Sequence, residues 1–146
     1  MNLSQALKTK NRLAGEIVKL QQIFQRENSK RSDNPSKVDA ESVWLKILNV
    51  STDLGELKAK IAVANVPIYP KIERIAELKS QICFIQQLPK REGEEISFVG
   101  RDQEKLVYTW TAFINEESAD KIVEGIQLKI NETQDLIDIF NNTTEI

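Results

Sequence analysis

The sequence predicts a mainly α fold: an antiparallel bundle of four helices, built as long coiled-coil-like hairpins, with a small β-hairpin before the last helix. Three observations carry this. Aliphatic residues recur at gaps of 3 and 4 through four long stretches. Only 5 Gly and 4 Pro occur in 146 residues, too few for the tight turns of an all-β chain. One stretch, residues 95–112, switches to the alternation of a strand. The expected organisation is a single domain over residues 1–146, with 95–112 as an appendage.

Residues 3–28 read as the first helix. Leu3, Leu7, Ala14, Ile17 and Phe24 form one apolar stripe, and Leu13, Ile17, Leu20 and Phe24 form a second. Overlapping stripes make a wide face suited to several neighbours. Gly15 weakens this helix but is expected to let a neighbouring helix come close. SKRSDNPSKV (29–38) is a loop by its cluster of Ser, Asp, Asn and Pro. Asp39 then suits an N-cap, with Ser42 as the fallback.

The second helix, 39–64, has the cleanest pattern. Val43, Ile47, Val50, Leu54, Leu57, Ile61 and Ala64 stand at alternating gaps of 4 and 3, a heptad seam. Trp44 and Leu48 widen it at one end, and Lys46, Lys58 and Lys60 mark the outer face. Pro67 and Pro70 in NVPIYP end this helix, and Pro70 fits the first turn of the next. The third helix, 70–88, carries Ile72, Ile75, Leu78, Ile82, Ile85 and Leu88, and Pro89 closes it.

PKREGEE (89–95) reads as a charged loop. Ile96 and Phe98, then Leu106, Tyr108, Trp110 and Ala112, alternate as strand residues do, with GRDQE (100–104) as the turn. A lone two-stranded hairpin is marginal in water, so this one must pack on the bundle or pair with a hairpin of another subunit. The last helix, 116–140, opens after Asn115 as cap, with Glu116 and Glu117 at the positive end of the helix dipole. Ala119, Ile122, Ile126, Ile130, Thr133, Ile137 and Phe140 make its stripe, and NNTTEI is expected to stop it.

Charge is unevenly placed. Residues 1–31 carry 7 basic and 2 acidic side chains, and residues 96–146 carry 4 basic and 10 acidic. Such segments favour lying side by side, within a chain or between chains. The basic residues form no dense block and no aromatic residues alternate with them, so nucleic acid is not the expected partner. With 0 His and 1 Cys, the chain excludes an internal disulfide, a Cys/His zinc site, a Ser-His-Asp triad and a histidine relay. Asp135 and Asp138, and the group Glu116, Glu117 and Asp120, are expected to be solvated acidic faces, because a dimetal bundle site needs Glu-x-x-His pairs.

Cys83, within ICFI, is expected to be a buried small hydrophobe. Tyr69, Tyr108 and Trp110 are expected to anchor a loop or hairpin against a core rather than to line a ligand site. Asn65 is expected to end a helix. No Gly-rich phosphate loop is present, and Asn131-x-Thr133 falls mid-helix, so glycosylation is not expected.

No catalytic, cofactor-binding or metal-ligating residues, and no cofactor, are therefore expected, and the chain is not read as an enzyme. It lacks the unbroken apolar stretch of a signal peptide, and no run approaches the ~20 apolar residues of a membrane span. A cytoplasmic protein is the expectation. Wide apolar faces on a thin bundle predict a homo-oligomer, a dimer or higher, with an unknown protein partner as the other way to cover them.

Three segments and the tail carry a family resemblance. LSQALKTKNRLAGEIVKLQQ, with Leu3, Ala6, Leu7, Leu13 and Ile17, resembles the opening helix of the septicolysin-like family of bacterial helical proteins. KAKIAVAN, with Ile61 and Asn65, is similar to that family's second-helix end, and ERIAELKSQICFIQQL to its third helix. NNTTEI, with Thr143, Thr144, Glu145 and Ile146, is similar to its tail, though Asn142 stands where the family often has an aromatic residue. The strand region is also longer here. The resemblance covers nearly all of the chain. It implies a helical fold, and the family's name implies a cytolysin. Two readings follow: a self-associating structural or interaction protein, or a membrane-active protein working through amphipathic helices, of which the basic first helix is the candidate.

Overall fold

The computed structural model describes residues 1–35 and 37–146. The protein is mainly helical, with α1 (Leu3–Glu27), α2 (Ala40–Asn65), α3 (Tyr69–Gln87), β1 (Gly93–Val99), β2 (Glu104–Trp110) and α4 (Glu116–Thr143). Position 36 of the expected loop 29–38 lies outside the described residues. Two compact units make up the chain: residues 1–69 with 137–146, and residues 70–136.

In the first unit α1 and α2 pack antiparallel. Leu13 and Leu20 of α1 join Ile47, Val50 and Leu54 of α2 in one core cluster. Leu3 and Ala6 join Ile61 at the other end, beneath Phe140 and Ile146 from the end of the chain. The heptad seam of α2 is thus the buried one, and the deeper stripe of α1 runs through Leu13 and Leu20. Trp44 lies against Phe24 with ring centroids 5.5 Å apart, whereas Leu48 stays exposed. Ile68, in the link after α2, is also buried.

Local chemistry sets the ends of these helices. Asn2 caps α1: Gln5 N–H donates to Asn2 Oδ1 at 2.9 Å, and Asn2 N–H donates back to Gln5 Oε1 at 3.1 Å. Asp39 caps α2 as expected, accepting from Glu41 N–H at 3.2 Å. Ser42 is no alternative cap, since its hydroxyl supports Asp39 by donating to Oδ2 at 2.5 Å. The expected stop at NNTTEI comes later than the sequence predicts, because α4 continues through Asn141, Asn142 and Thr143. Thr144 N–H donates to Phe140 O at 2.9 Å, which carries the helical pattern through the last turn, and the Thr143 hydroxyl donates to Ile139 O at 2.9 Å. The backbone then turns to meet α1: Leu3 N–H donates to Thr144 O at 2.8 Å, and Ile146 N–H to Met1 O at 3.0 Å.

Gly15 does not serve close helix approach, since a Cβ there meets nothing within 4 Å among the described residues. Its substitution should be a simple propensity gain. Gly15→Ala is expected to stabilise the chain by roughly 0.5–1 kcal/mol, read as a rise in the urea midpoint at constant slope.

The second unit holds most of α3, the hairpin and α4 up to Leu136. Ile75, Leu78 and Ile85 of α3 and Ala119 and Ile130 of α4 are buried. α3 ends on a lysine cap, in which Lys90 Nζ donates to the carbonyls of Ile85, Gln86 and Leu88 at 3.1, 3.2 and 2.9 Å. Asn115 caps α4 as expected, with Ser118 N–H donating to its Oδ1 at 2.8 Å and Asn115 N–H donating to Ser118 Oγ at 3.0 Å. Cys83 is exposed, which corrects the buried reading. It follows Ile82 by one residue, so it stands about 100° off the stripe of Ile75, Leu78 and Ile85.

The hairpin begins and ends two residues before the expected 95–112 limits. Glu94 and Glu95 are strand residues, paired with Thr109 and Tyr108, while Thr111 and Ala112 lie past the ladder. Their charge suggests a loop, but an open strand tolerates charged side chains.

Candidate functional site

The hairpin is the most exposed structured element of the chain. Its register sets Ile96 opposite Val107, with Phe98 opposite Lys105 and Glu94 opposite Thr109 on the same face. The other face carries Leu106, Tyr108 and Trp110 on β2, facing Ser97, Glu95 and Gly93 on β1. The connection uses left-handed backbone at Gly100 (φ 82°) and Gln103 (φ 48°), and Gln103 N–H closes the turn on Gly100 O at 3.3 Å. Among the described residues neither edge pairs with a further strand.

Both faces are open. Every residue of β2 is exposed. Ile96 and Val107 are 51% and 50% exposed, and Phe98 is 64% exposed. Only the end near the helices is tied down. There Trp110 Nε1 donates to Glu95 Oε2 at 2.6 Å, the Arg91 guanidinium lies over the Trp110 ring at 4.9 Å, and Arg91 pairs with Glu95 at 3.4 Å. Phe113, just beyond β2, has its side chain wholly in solvent. Each strand opens with two charged residues, but Glu94 and Glu95 of β1 are alike in sign whereas Glu104 and Lys105 of β2 are opposite, and from Leu106 to Ile114 no residue carries charge. The two edges are therefore chemically different.

The first unit carries concavities of its own. An apolar groove of about 760 Å³ runs between the end of α2 (Val63, Ala64, Pro67) and the chain's end (Phe140, Ile146). A polar notch is lined by Arg26, Lys30, Arg31 and Lys37 together with Glu27 and Asp33. Two of its cations are engaged locally: Lys30 lies 3.4 Å from Glu27, and Arg31 grips both Asp33 oxygens at 2.9 and 2.6 Å. That fork holds the Asp33 carboxyl below its ordinary range.

Nearby, the Ser42 hydroxyl is the main cause of a lowered Asp39 pKa. A lowered folded pKa means that the Asp39 carboxylate supports α2 above the ordinary carboxylate pKa, and that this support is lost as pH falls through the lowered value. Ser42→Ala should move the Asp39 titration upward toward the ordinary range, as read by carboxyl NMR across a pH series.

The side chains singled out in the sequence do not converge. Tyr69, Tyr108 and Trp110 are all exposed, so none anchors a core, and Trp110 is held instead by Arg91 and Glu95. Asn65 does end α2, and its carbonyl accepts from Ile68 N–H at 3.0 Å. Glu116 and Glu117 lie in the first turn of α4, where Glu117 pairs with Lys121 at 3.2 Å. Among the described residues no three Cys, Asp or Glu side chains gather to hold a metal ion, and no helix is long and apolar enough to cross a membrane. Val107 and Phe113 are surface residues that sequence reasoning passed over. The uncharged run from Leu106 to Ile114 is the signal that points to them. The chain matches no protein-family model, no curated protein and no solved structure.

Proposed function

We propose that this chain is a structural or interaction protein that works by associating with copies of itself, with the hairpin as its contact element. One observation carries the reading: a structured two-stranded sheet presents open edges and exposed apolar side chains on both faces. An isolated hairpin is marginal in water, and an exposed apolar strand edge is a template for pairing. The exposed side chains of β1 and β2, with Phe113, form a patch of the kind that marks a protein contact. Further exposed apolar side chains, among them Phe84 and Leu128, add surface for a partner copy in the same unit. A cytoplasmic location fits a chain whose single cysteine, Cys83, is free and exposed.

The membrane-active reading rests on the amphipathic character of α1. Its apolar stripe is occupied, because Leu3, Ala6, Leu13 and Leu20 are buried in the first unit's core. That leaves self-association as the better supported function. The test is the solution mass of the chain with and without its hairpin: an oligomer that becomes a single chain supports the reading, and an unchanged mass counts against it.

A further inference from the structure

The open edges of the hairpin are not equivalent, and the difference selects a partner. We infer that β2 pairs antiparallel with β2 of a second copy about a two-fold axis through Val107, making one four-stranded sheet from two hairpins. This rests on the self-association proposed above and specifies its geometry.

Antiparallel two-fold pairing of identical strands sets Val107 against itself, Leu106 against Tyr108, Lys105 against Thr109 and Glu104 against Trp110. All seven residues of each strand then find a partner. Carrying the observed β1–β2 register across the new junction gives rows of four side chains. The central row reads Ile96, Val107, Val107 and Ile96, apolar throughout. On the same face the next row reads Phe98, Lys105, Thr109 and Glu94. Lys105 of one copy can therefore reach Glu94 of the other across the short Thr109 side chain. The two-fold axis repeats that opposite-charge pair on the other side.

On the second face Glu104 meets Trp110 of the other copy, whose ring carries the Arg91 guanidinium. Each β2 charge thus falls near an opposite charge of the second copy, no like charges stand directly opposite, and the Glu95 carboxylate beside Trp110 is itself paired with Arg91. Moving the axis to Lys105 would set two lysines opposite one another. The outer edges of the resulting sheet are both β1, which opens with Glu94 and Glu95. Two charges of like sign on each outer edge, with no opposite charge on β1 to pair them, discourage further β1–β1 pairing, so the sheet stops at two hairpins.

Disulfide trapping tests this. Val107→Cys in a Cys83→Ser background places two thiols on the axis. Residues directly opposed in an antiparallel pair have Cα atoms about 4.5–5.5 Å apart, within disulfide range. Most of the oxidised chain should run as a reducible dimer. Arg101→Cys in the same background, at the turn, should not cross-link, because the register holds the two copies of residue 101 roughly 30 Å apart. Lys105→Glu should weaken association by roughly tenfold, and adding Glu94→Lys should restore it.

A native chain that assembles while the Val107→Cys chain fails to cross-link would overturn this arrangement and leave self-association standing. Such a result, with a mass above that of a dimer, would indicate β2 pairing on β1 of the next copy. A native chain that stays a monomer by light scattering would overturn both the arrangement and the reading it rests on.

Discussion

Leu3→Ala should destabilise the chain by about 3 kcal/mol, the largest loss expected from any single truncation. Among the described residues, Leu3 is the one large side chain with no exposed surface. It packs with Ala6 and Ile61 under Phe140 and Ile146, so the vacated space is bounded by two helices and the chain's end. The backbone there is also committed, since Leu3 N–H donates to Thr144 O at 2.8 Å and fixes the start of α1 against the end of α4. A site held from three sides collapses poorly, and the cavity contribution then adds to the lost burial. Urea unfolding followed by circular dichroism measures the effect. A loss well below 1 kcal/mol would mean that the Leu3 cluster is not a closed core.

Removal of the hairpin should abolish assembly and spare the helices. Gly93 and Trp110 are direct cross-strand partners, so their Cα atoms stand only about 4.5–5.5 Å apart. Replacing residues 94–109 with two glycines therefore bridges the gap without pulling on α3 or α4. The replaced segment contributes no buried side chain, and all four helices lie outside it. Helical circular dichroism should stay near its starting value, while the light-scattering mass falls to that of one chain. Loss of helicity would show that the hairpin supports the fold rather than serving as a contact element.

Much of this architecture is legible in the sequence because its signals are local. The heptad seam from Val43 to Ala64 predicts α2 and the face it buries, and Asp39 and Asn115 mark helix starts by their capping chemistry. The hairpin is legible in the alternation from Ile96 to Trp110. Features set by phase or by distant partners are harder to read. Cys83 sits in an apolar run, yet its position relative to Ile82 and Ile85 turns it outward. NNTTEI looks like a helix stop by composition. Its first residues stay helical because Thr144 N–H still reaches Phe140 O, and the chain's last backbone groups find Met1 and Leu3, over 140 residues away in sequence.

The contact surface is only half legible. Period-2 alternation shows which residues share a face, but not whether anything covers it. Trp110 looks like a core anchor by residue type. Its neighbours Arg91 and Glu95 instead hold the ring at the open end of a sheet. Exposure of both faces becomes visible only in the structure, where the stripes of α1 and α2 are spent on one another and every residue of β2 is exposed.

The most direct test of the central claim is the solution mass of the native chain by size exclusion with multi-angle light scattering. The proposed self-association predicts a stable mass at twice that of the 16.7 kDa chain, or at a higher closed multiple. A mass of one chain that persists as concentration rises would contradict it.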